Sequence, residues 1–261
     1  MKITSVADLP QWGLRTAIYG PPGTGKTHLA ATAEDSEFGK SVLFIDVEGG
    51  VRSITHRTSI DTVQARTWPE ILEVLRAIKM GSSDLKKYKT FVWDNLTEYQ
   101  KLDIARIAGD SQPQIQHWGE CTTDMLSLVR DMSDVSRIRS LNQIFIAWDE
   151  DVQTDVSGIK IIKHRANFTP KLQNAFPGML DMVGYLTVSS KLTRTLTFEV
   201  SNTTDAKNRR PRTGPTIALP ETIRYKIDDS PMADILNTMI GGMPWPEKYN
   251  EKTVKPAIQT Q

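Results

Sequence analysis

Eight consecutive residues carry the most specific chemistry in this chain: Gly20-Pro21-Pro22-Gly23-Thr24-Gly25-Lys26-Thr27. Their spacing fits G-x-x-x-x-G-K-[ST], a loop whose backbone N–H groups turn inward around phosphate oxygens at a helix N-terminus. In that arrangement Lys26 reaches the β- and γ-phosphates of a nucleoside triphosphate, and Thr27 places its hydroxyl on Mg²⁺. The motif is specific only between a strand and a helix. Here the apolar run 14–19 precedes it and the helical run 28–34 follows.

Carboxylates at the ends of apolar runs form the second group. Ser41 to Gly50 (SVLFIDVEGG) ends in Asp46 and Glu48. Such a run, bounded by glycine, suits a strand buried on both faces, and open α/β sheets gather ligands at the carboxyl edge of such strands. Glu48 is placed to orient or deprotonate an attacking water; a turn merely capped by the two acids is the alternative. Lys89 to Asn95 (KTFVWDN) is a further apolar strand ending in Asp94, whose carboxylate would hold Mg²⁺ opposite Thr27. Asn142 to Trp148 (NQIFIAW) ends at Asp149, which either senses the triphosphate or starts the next loop.

A third group is basic. From Glu150 to Lys171 the sequence turns from acidic to basic around Ser157-Gly158, with Lys160, Lys163, His164 and Arg165 after the turn and Phe168 nearby. Alternation about a Ser-Gly turn predicts a β-hairpin. Its lysines and arginine could follow a phosphate backbone while Phe168 stacks a base; a solvated hairpin is the plain alternative. The polar stretch Gly109 to Gly119, with His117 and Trp118, reads as a loop that either faces a ligand or only connects elements. A cluster from Asp205 to Pro215 holds Lys207, Arg209, Arg210 and Arg212, and suits either a solvated turn or a phosphate contact, its own or a neighbour's.

The elements that must position these groups follow from periodicity. A short strand is expected over 62–66, and a helix opening at Trp68-Pro69 and ending at Gly81 packs on the sheet. A long amphipathic helix carries Met125, Leu128, Val129, Met132 and Val135. Strands are expected over 182–189 and 195–201, with Arg194 between them, and a last helix over 232–240. The chain has 261 residues, enough for one large α/β domain. Three parts are expected: a short N-terminal segment (1–13), the domain (14–243) and a loosely held tail (244–261). Formal net charge is +1, so no global field draws in nucleic acid or membrane. The single cysteine, Cys121, excludes an intrachain disulfide framework and fits a cytoplasmic setting. No run is long enough to cross a bilayer as a helix, and no apolar signal core opens the chain.

With these residues in view the chain resembles a RecA-type ATPase. Phe44 to Gly50 is similar to the RecA strand that ends in the catalytic glutamate, which implies that role for Glu48. Val92-Trp93-Asp94-Asn95 is similar to the Walker B strand. The order of the 109–119 stretch, long helix, Asn142 strand and 150–171 segment resembles first DNA loop, helix, sensor strand and second DNA loop. Lys207-Asn208-Arg209 followed by Thr213-Gly214 is similar to the signature whose lysine and arginine reach the γ-phosphate bound by the adjacent subunit. The overall arrangement resembles the short bacteriophage ATPases of the single-strand-annealing recombinase group. Two departures stand out: the loop is spelled as in AAA+ proteins, and Trp148-Asp149 replaces the Asn-Gln of RecA.

The resemblance implies a RecA-like α/β core, with a mostly parallel sheet flanked by helices and antiparallel C-terminal strands. It implies ATP and Mg²⁺ as ligands, and an oligomer, ring or filament, that binds single-stranded DNA beside a single-strand-binding protein. A ring-forming helicase-like or remodelling ATPase and a small-molecule kinase are the competing expectations.

Overall fold

The computed structural model describes residues 3, 5, 12–156, 158–209 and 219–249. A ten-stranded mixed sheet forms its centre. Its parallel part is built from β1 (Arg15–Gly20), β2 (Val42–Asp46), β3 (Asp61–Gln64), β4 (Thr90–Asp94), β5 (Asn142–Val156) and β7 (Met182–Val188), in the order β7-β1-β5-β4-β2-β3. Beyond β7 lie β8 (Arg194–Thr197) and then β10 (Thr222–Tyr225), both antiparallel to their neighbours. β6 (Ile159–Ala166) pairs with the outer half of β5, and the two-residue β9 (Lys207–Asn208) pairs with the start of β7. The expected P-loop α/β architecture is present.

Buried runs explain the centre: every residue of β2 and of β4 is buried, as strands covered on both faces require. One face is covered by α2 (Trp68–Met80), α3 (Leu96–Ala108), α4 (Ile115–Arg139) and α5 (Pro170–Met179), with Tyr19, Trp93, Tyr99, Met125, Phe145 and Phe176 in its core. α1 (Lys26–Ala31) and α6 (Pro231–Met239) cover the other, over Ile18, Phe44, Ile144 and Leu196. α2 starts where Thr67 and Glu70 form a reciprocal capping box and ends at the left-handed Gly81. α3 starts where the Asn95 side chain accepts from the Glu98 N–H at 2.9 Å.

Four expectations need correction. The connection between α3 and α4 is shorter than the 109–119 loop, because the helix begins at Ile115; Gln114 and His117 cap it, with His117 Nδ1 accepting from the Gln114 N–H at 3.2 Å. His117 and Trp118 are therefore helical. The strand from Asn142 does not stop at Trp148 but continues to Val156, so the acidic stretch is the first arm of the hairpin. Gly158 turns that hairpin at φ 82°; Ser157 lies outside the described residues. A helix, α5, follows where none was expected, opened by Pro170 at its first turn. The tail boundary at 244 also moves: Trp245 and Tyr249 stack at 5.0 Å, and the buried Tyr249 hydroxyl donates to Asp234 at 2.7 Å. Residues 250–261 lie outside the description, as do Arg210, Pro211, Arg212, Thr213, Gly214 and Pro215 of the basic cluster. Among the described residues no helix is long and apolar enough to cross a membrane.

Candidate nucleotide site

Gly20 ends β1 and opens the loop. A Cβ there would lie 2.2 Å from the Leu186 carbonyl oxygen, so β1 and β7 can pair this closely only around glycine. Gly25 is the N-cap of α1 in the left-handed region, φ 95°, the turn that lines up the N–H groups of the following helix. Between them the loop is braced from within. The Thr24 hydroxyl donates to the Pro21 carbonyl at 2.9 Å, and Lys26 Nζ donates to the carbonyls of Gly20 and Pro21 at 2.7 and 2.9 Å. Burial pulls the Lys26 pKa down, against the opposing charges of Asp94, Asp149 and Glu48. Pro22, Gly23, Gly25, Lys26 and Thr27 line a cleft of about 810 Å³, together with Glu48, Gly50, Asp94, Asn95 and Trp148.

Thr27 and Asp94 meet. The Thr27 hydroxyl donates to Asp94 Oδ2 at 2.7 Å, joining the first turn of α1 to the end of β4. Burial raises the Asp94 pKa to about 6, although the Thr27 bond and Lys26 pull it back. A hydroxyl and a carboxylate are hard oxygen ligands suited to Mg²⁺. Gly50 keeps that corner open: a Cβ at this position would stand 3.2 Å from Asp94 Oδ2 and 3.4 Å from Thr27 Oγ1. The corner therefore fits the expected Mg²⁺.

Glu48 lies on the loop after β2. Asp46 shapes that loop: buried at the strand end, its Oδ1 accepts from the Gly49 and Gly50 N–H groups at 3.1 Å each. Glu48 Oε2 accepts a hydrogen bond from the Asn95 amide, so the residue that caps α3 also aims the glutamate. Its pKa is raised, first by burial and then by the nearby charges of Glu98 and Asp94. The position and the raised pKa suit a base for an attacking water.

Asp149 does not line the cleft. Its neighbour Trp148 does, and the Asp149 carboxylate accepts from the Tyr185 hydroxyl at 3.3 Å. A strand alternates its faces, so moving from Trp148 to Asp149 reverses the direction of the side chain. Asp149 still acts on Lys26 through its charge.

Lys207 and Arg209 lie at the other end of the sheet from the loop of their own protomer. Lys207 opposes Val183 near the start of β7, whereas the loop follows the end of β1, which runs parallel to β7. Lys207 Nζ donates to the carbonyls of Pro177 and Leu180, both at 2.7 Å, and so caps the C-terminus of α5. Arg209 pairs with Asp181 at 3.3 Å, and Asp181 also holds Arg15 at 2.7 Å.

The hairpin's basic residues are largely engaged. Lys163 pairs with Asp205 at 2.5 Å, and Arg165 bonds both Asp205 and Asn174. Lys160 is exposed, opposite Asp155 in the ladder. Phe168 is 5% exposed and meets Phe176 edge-on at 5.0 Å, so its ring belongs to the core and is not free to stack a base. Trp118, at 40%, is the exposed ring nearby, and lines a groove of about 600 Å³ with Thr122, Asn167 and Lys171.

Sequence reasoning missed Gly50 and Asn95 as site residues, although both stood inside quoted motifs. It also missed the stacked imidazoles of His28 and His56, 5.9 Å apart on the cleft wall, and Arg194, which lines the same wall. No spacing rule points to either feature.

A family model described as an AAA domain matches residues 13–210. No curated protein matches the sequence.

Proposed function

The chain belongs to the AAA domain family of P-loop ATPases, and from that premise we propose that it is an ATPase whose hydrolysis cycle is coupled to single-stranded DNA and shared between subunits. The observation that carries the coupling is the continuity of β5. Ile146 and Trp148 line the cleft, and the same strand runs on unbroken to Val156 as one arm of the projecting hairpin. A rigid strand moves both ends together, so a shift at Trp148 on nucleotide binding moves the hairpin. Trp118 offers a stacking face, Lys171 offers charge in the same groove, and Lys160 is exposed on the hairpin.

In this reading Lys26 leaves its loop carbonyls for the phosphates, and Thr27 and Asp94 hold Mg²⁺. The ion, when bound, neutralises charge on the phosphates. Glu48, aimed by Asn95, takes the proton of the attacking water. Lys207 and Arg209 face away from their own site, which leaves a neighbour's site as the place for a finger. Complementation tests this arrangement. Lys26→Ala and Arg209→Ala are each expected to lack hydrolysis, and mixing them is expected to restore part of it, because one interface then combines an intact loop with an intact arginine. A mixture as inactive as its components would refute the shared site.

A protein partner is the second reading, and the surface of the hairpin favours it. Lys163 and Arg165 share the one carboxylate of Asp205, and the exposed Ile159 and Ile162 give the hairpin apolar surface that a protein partner would cover. Nucleotide-dependent binding of labelled oligo-dT, followed by anisotropy and weakened by salt, supports the DNA reading. Absence of binding with both MgADP and a non-hydrolysable Mg·ATP analogue moves the function to a protein partner.

A further inference from the structure

Arg194 opens β8 at the tip of the β7–β8 hairpin, opposite Val188 on one side and Tyr225 on the other. Its backbone is thus fixed by two ladders, and its side chain crosses to the phosphate loop. Nε donates to the Thr24 carbonyl at 3.2 Å, and Nη1 is directed at the Leu192 carbonyl at 3.5 Å. A Cβ on Gly25 would come within 2.9 Å of Nε, so the guanidinium lies directly on the loop and Gly25 makes room for it. It lines the same cleft as Lys26, Thr27 and His28. Its charge reaches across that cleft, helping to pull the His28 pKa down.

Among the described residues no carboxylate pairs with Arg194. A guanidinium carries five N–H donors in a planar fork matched to phosphate oxygens, and two weak carbonyl contacts leave most of them free. Asp228 lines the same cleft without forming an ion pair with Arg194, and a half-buried cation with no carboxylate in contact has given up solvation that an incoming anion restores.

We propose that Arg194 is a phosphate-binding residue acting in cis, which clamps the polyphosphate of the nucleotide against the Thr24–Gly25 lip of the loop. The proposal rests on reading the cleft as the nucleotide site. It adds to that reading a second positive charge within the same chain, beside Lys26, so that the grip on the polyphosphate is built from one protomer. The hairpin that carries Arg194 then senses whether the cleft is filled.

The test compares full-length Lys26→Ala, Arg194→Gln and Arg194→Lys with the wild type by titration of fluorescent MgADP and a non-hydrolysable Mg·ATP analogue, at dilute protein and two salt concentrations. Gln keeps an N–H donor at the Nε position for the Thr24 carbonyl and removes the charge together with the Nη donors of the fork. Arg194→Gln is expected to weaken both nucleotides by about tenfold or more, the scale of a charged hydrogen bond, with a shallower salt dependence. Arg194→Lys is expected to fall between. The melting temperature without nucleotide should stay near wild type, and the increase on adding MgADP should shrink. Affinities for Arg194→Gln within about twofold of wild type, while Lys26→Ala loses binding, would overturn the proposal and leave the nucleotide site standing. Wild-type affinity in Lys26→Ala would overturn the site itself and the proposal with it.

Discussion

Replacing Asp94 with Asn should make the nucleotide-free protein more stable and its Mg²⁺-dependent activity negligible. Asp94 is 5% exposed, and its pKa stands at about 6. Since the ordinary value is 3.8, the folded state takes up a proton between those values that the unfolded chain does not. Stability contributed by this residue is therefore present below about pH 4 and is lost as pH rises through 6. A shift of about two units corresponds to about 3 kcal/mol at neutral pH. Asn removes that cost, and the weaker bond it accepts from Thr27 is already contained in the shift, because the Thr27 bond is one of the influences that hold the Asp94 pKa down. The gain of about 3 kcal/mol should raise the melting temperature by about 6–12 °C in a chain of this size. Differential scanning fluorimetry at pH 7.5 and pH 5, with and without Mg²⁺ and ADP, measures it. The Asn variant should be the more stable at pH 7.5, the gap should shrink at pH 5, and Mg²⁺ with ADP should stabilise the wild type more. A variant less stable than wild type at pH 7.5, or a gap that does not change with pH, would refute the reasoning that burial of this charge strains the empty site.

Further outcomes follow from the same contacts. Gly50→Ala places a methyl 3.2 Å from Asp94 Oδ2 and should weaken Mg²⁺-dependent nucleotide binding by about tenfold with the fold intact, read by Mg²⁺ titration against fluorescent ADP. Asn95→Asp keeps an acceptor for the Glu98 N–H but buries a carboxylate against Glu48, so kcat should fall about tenfold or more and the melting temperature should drop at neutral pH and recover as the pH is lowered. Asn95→Ala should lose the cap as well, about 1 kcal/mol, visible in urea unfolding. Lys207→Ala should lower stability by about 1–2 kcal/mol, because the last carbonyls of α5 lose their donor, while leaving nucleotide affinity at dilute protein unchanged.

The phosphate loop, β2 with its acids and β4 with Asp94 were legible because their chemistry is local. Each is an apolar run followed by a fixed turn, and the run length specifies the strand. Long-range partnerships were not legible. Nothing near Phe168 in sequence says that Phe176 will cover it, and nothing near Arg194 says that it will cross to Thr24, 170 positions away. Asp149 shows the limit at one residue's resolution: the strand was expected, but which of Trp148 and Asp149 faces the cleft depends on register against β1, where Gly20 opposes Trp148. The opening of α2 at Trp68 was legible, but the start of α4 was not, for a related reason. The cap at Gln114 and His117 is an exchange between side chain and backbone, and its residue types are not the usual Ser, Thr, Asp or Asn.

ATP hydrolysis measured across protein concentration, with and without single-stranded DNA, at low and physiological salt, tests the central claim most directly. A site shared between subunits and coupled through β5 to a DNA-binding hairpin predicts specific activity that climbs steeply with protein concentration and rises further with DNA, the stimulation fading as salt increases. Activity that is proportional to protein and indifferent to DNA would contradict the account.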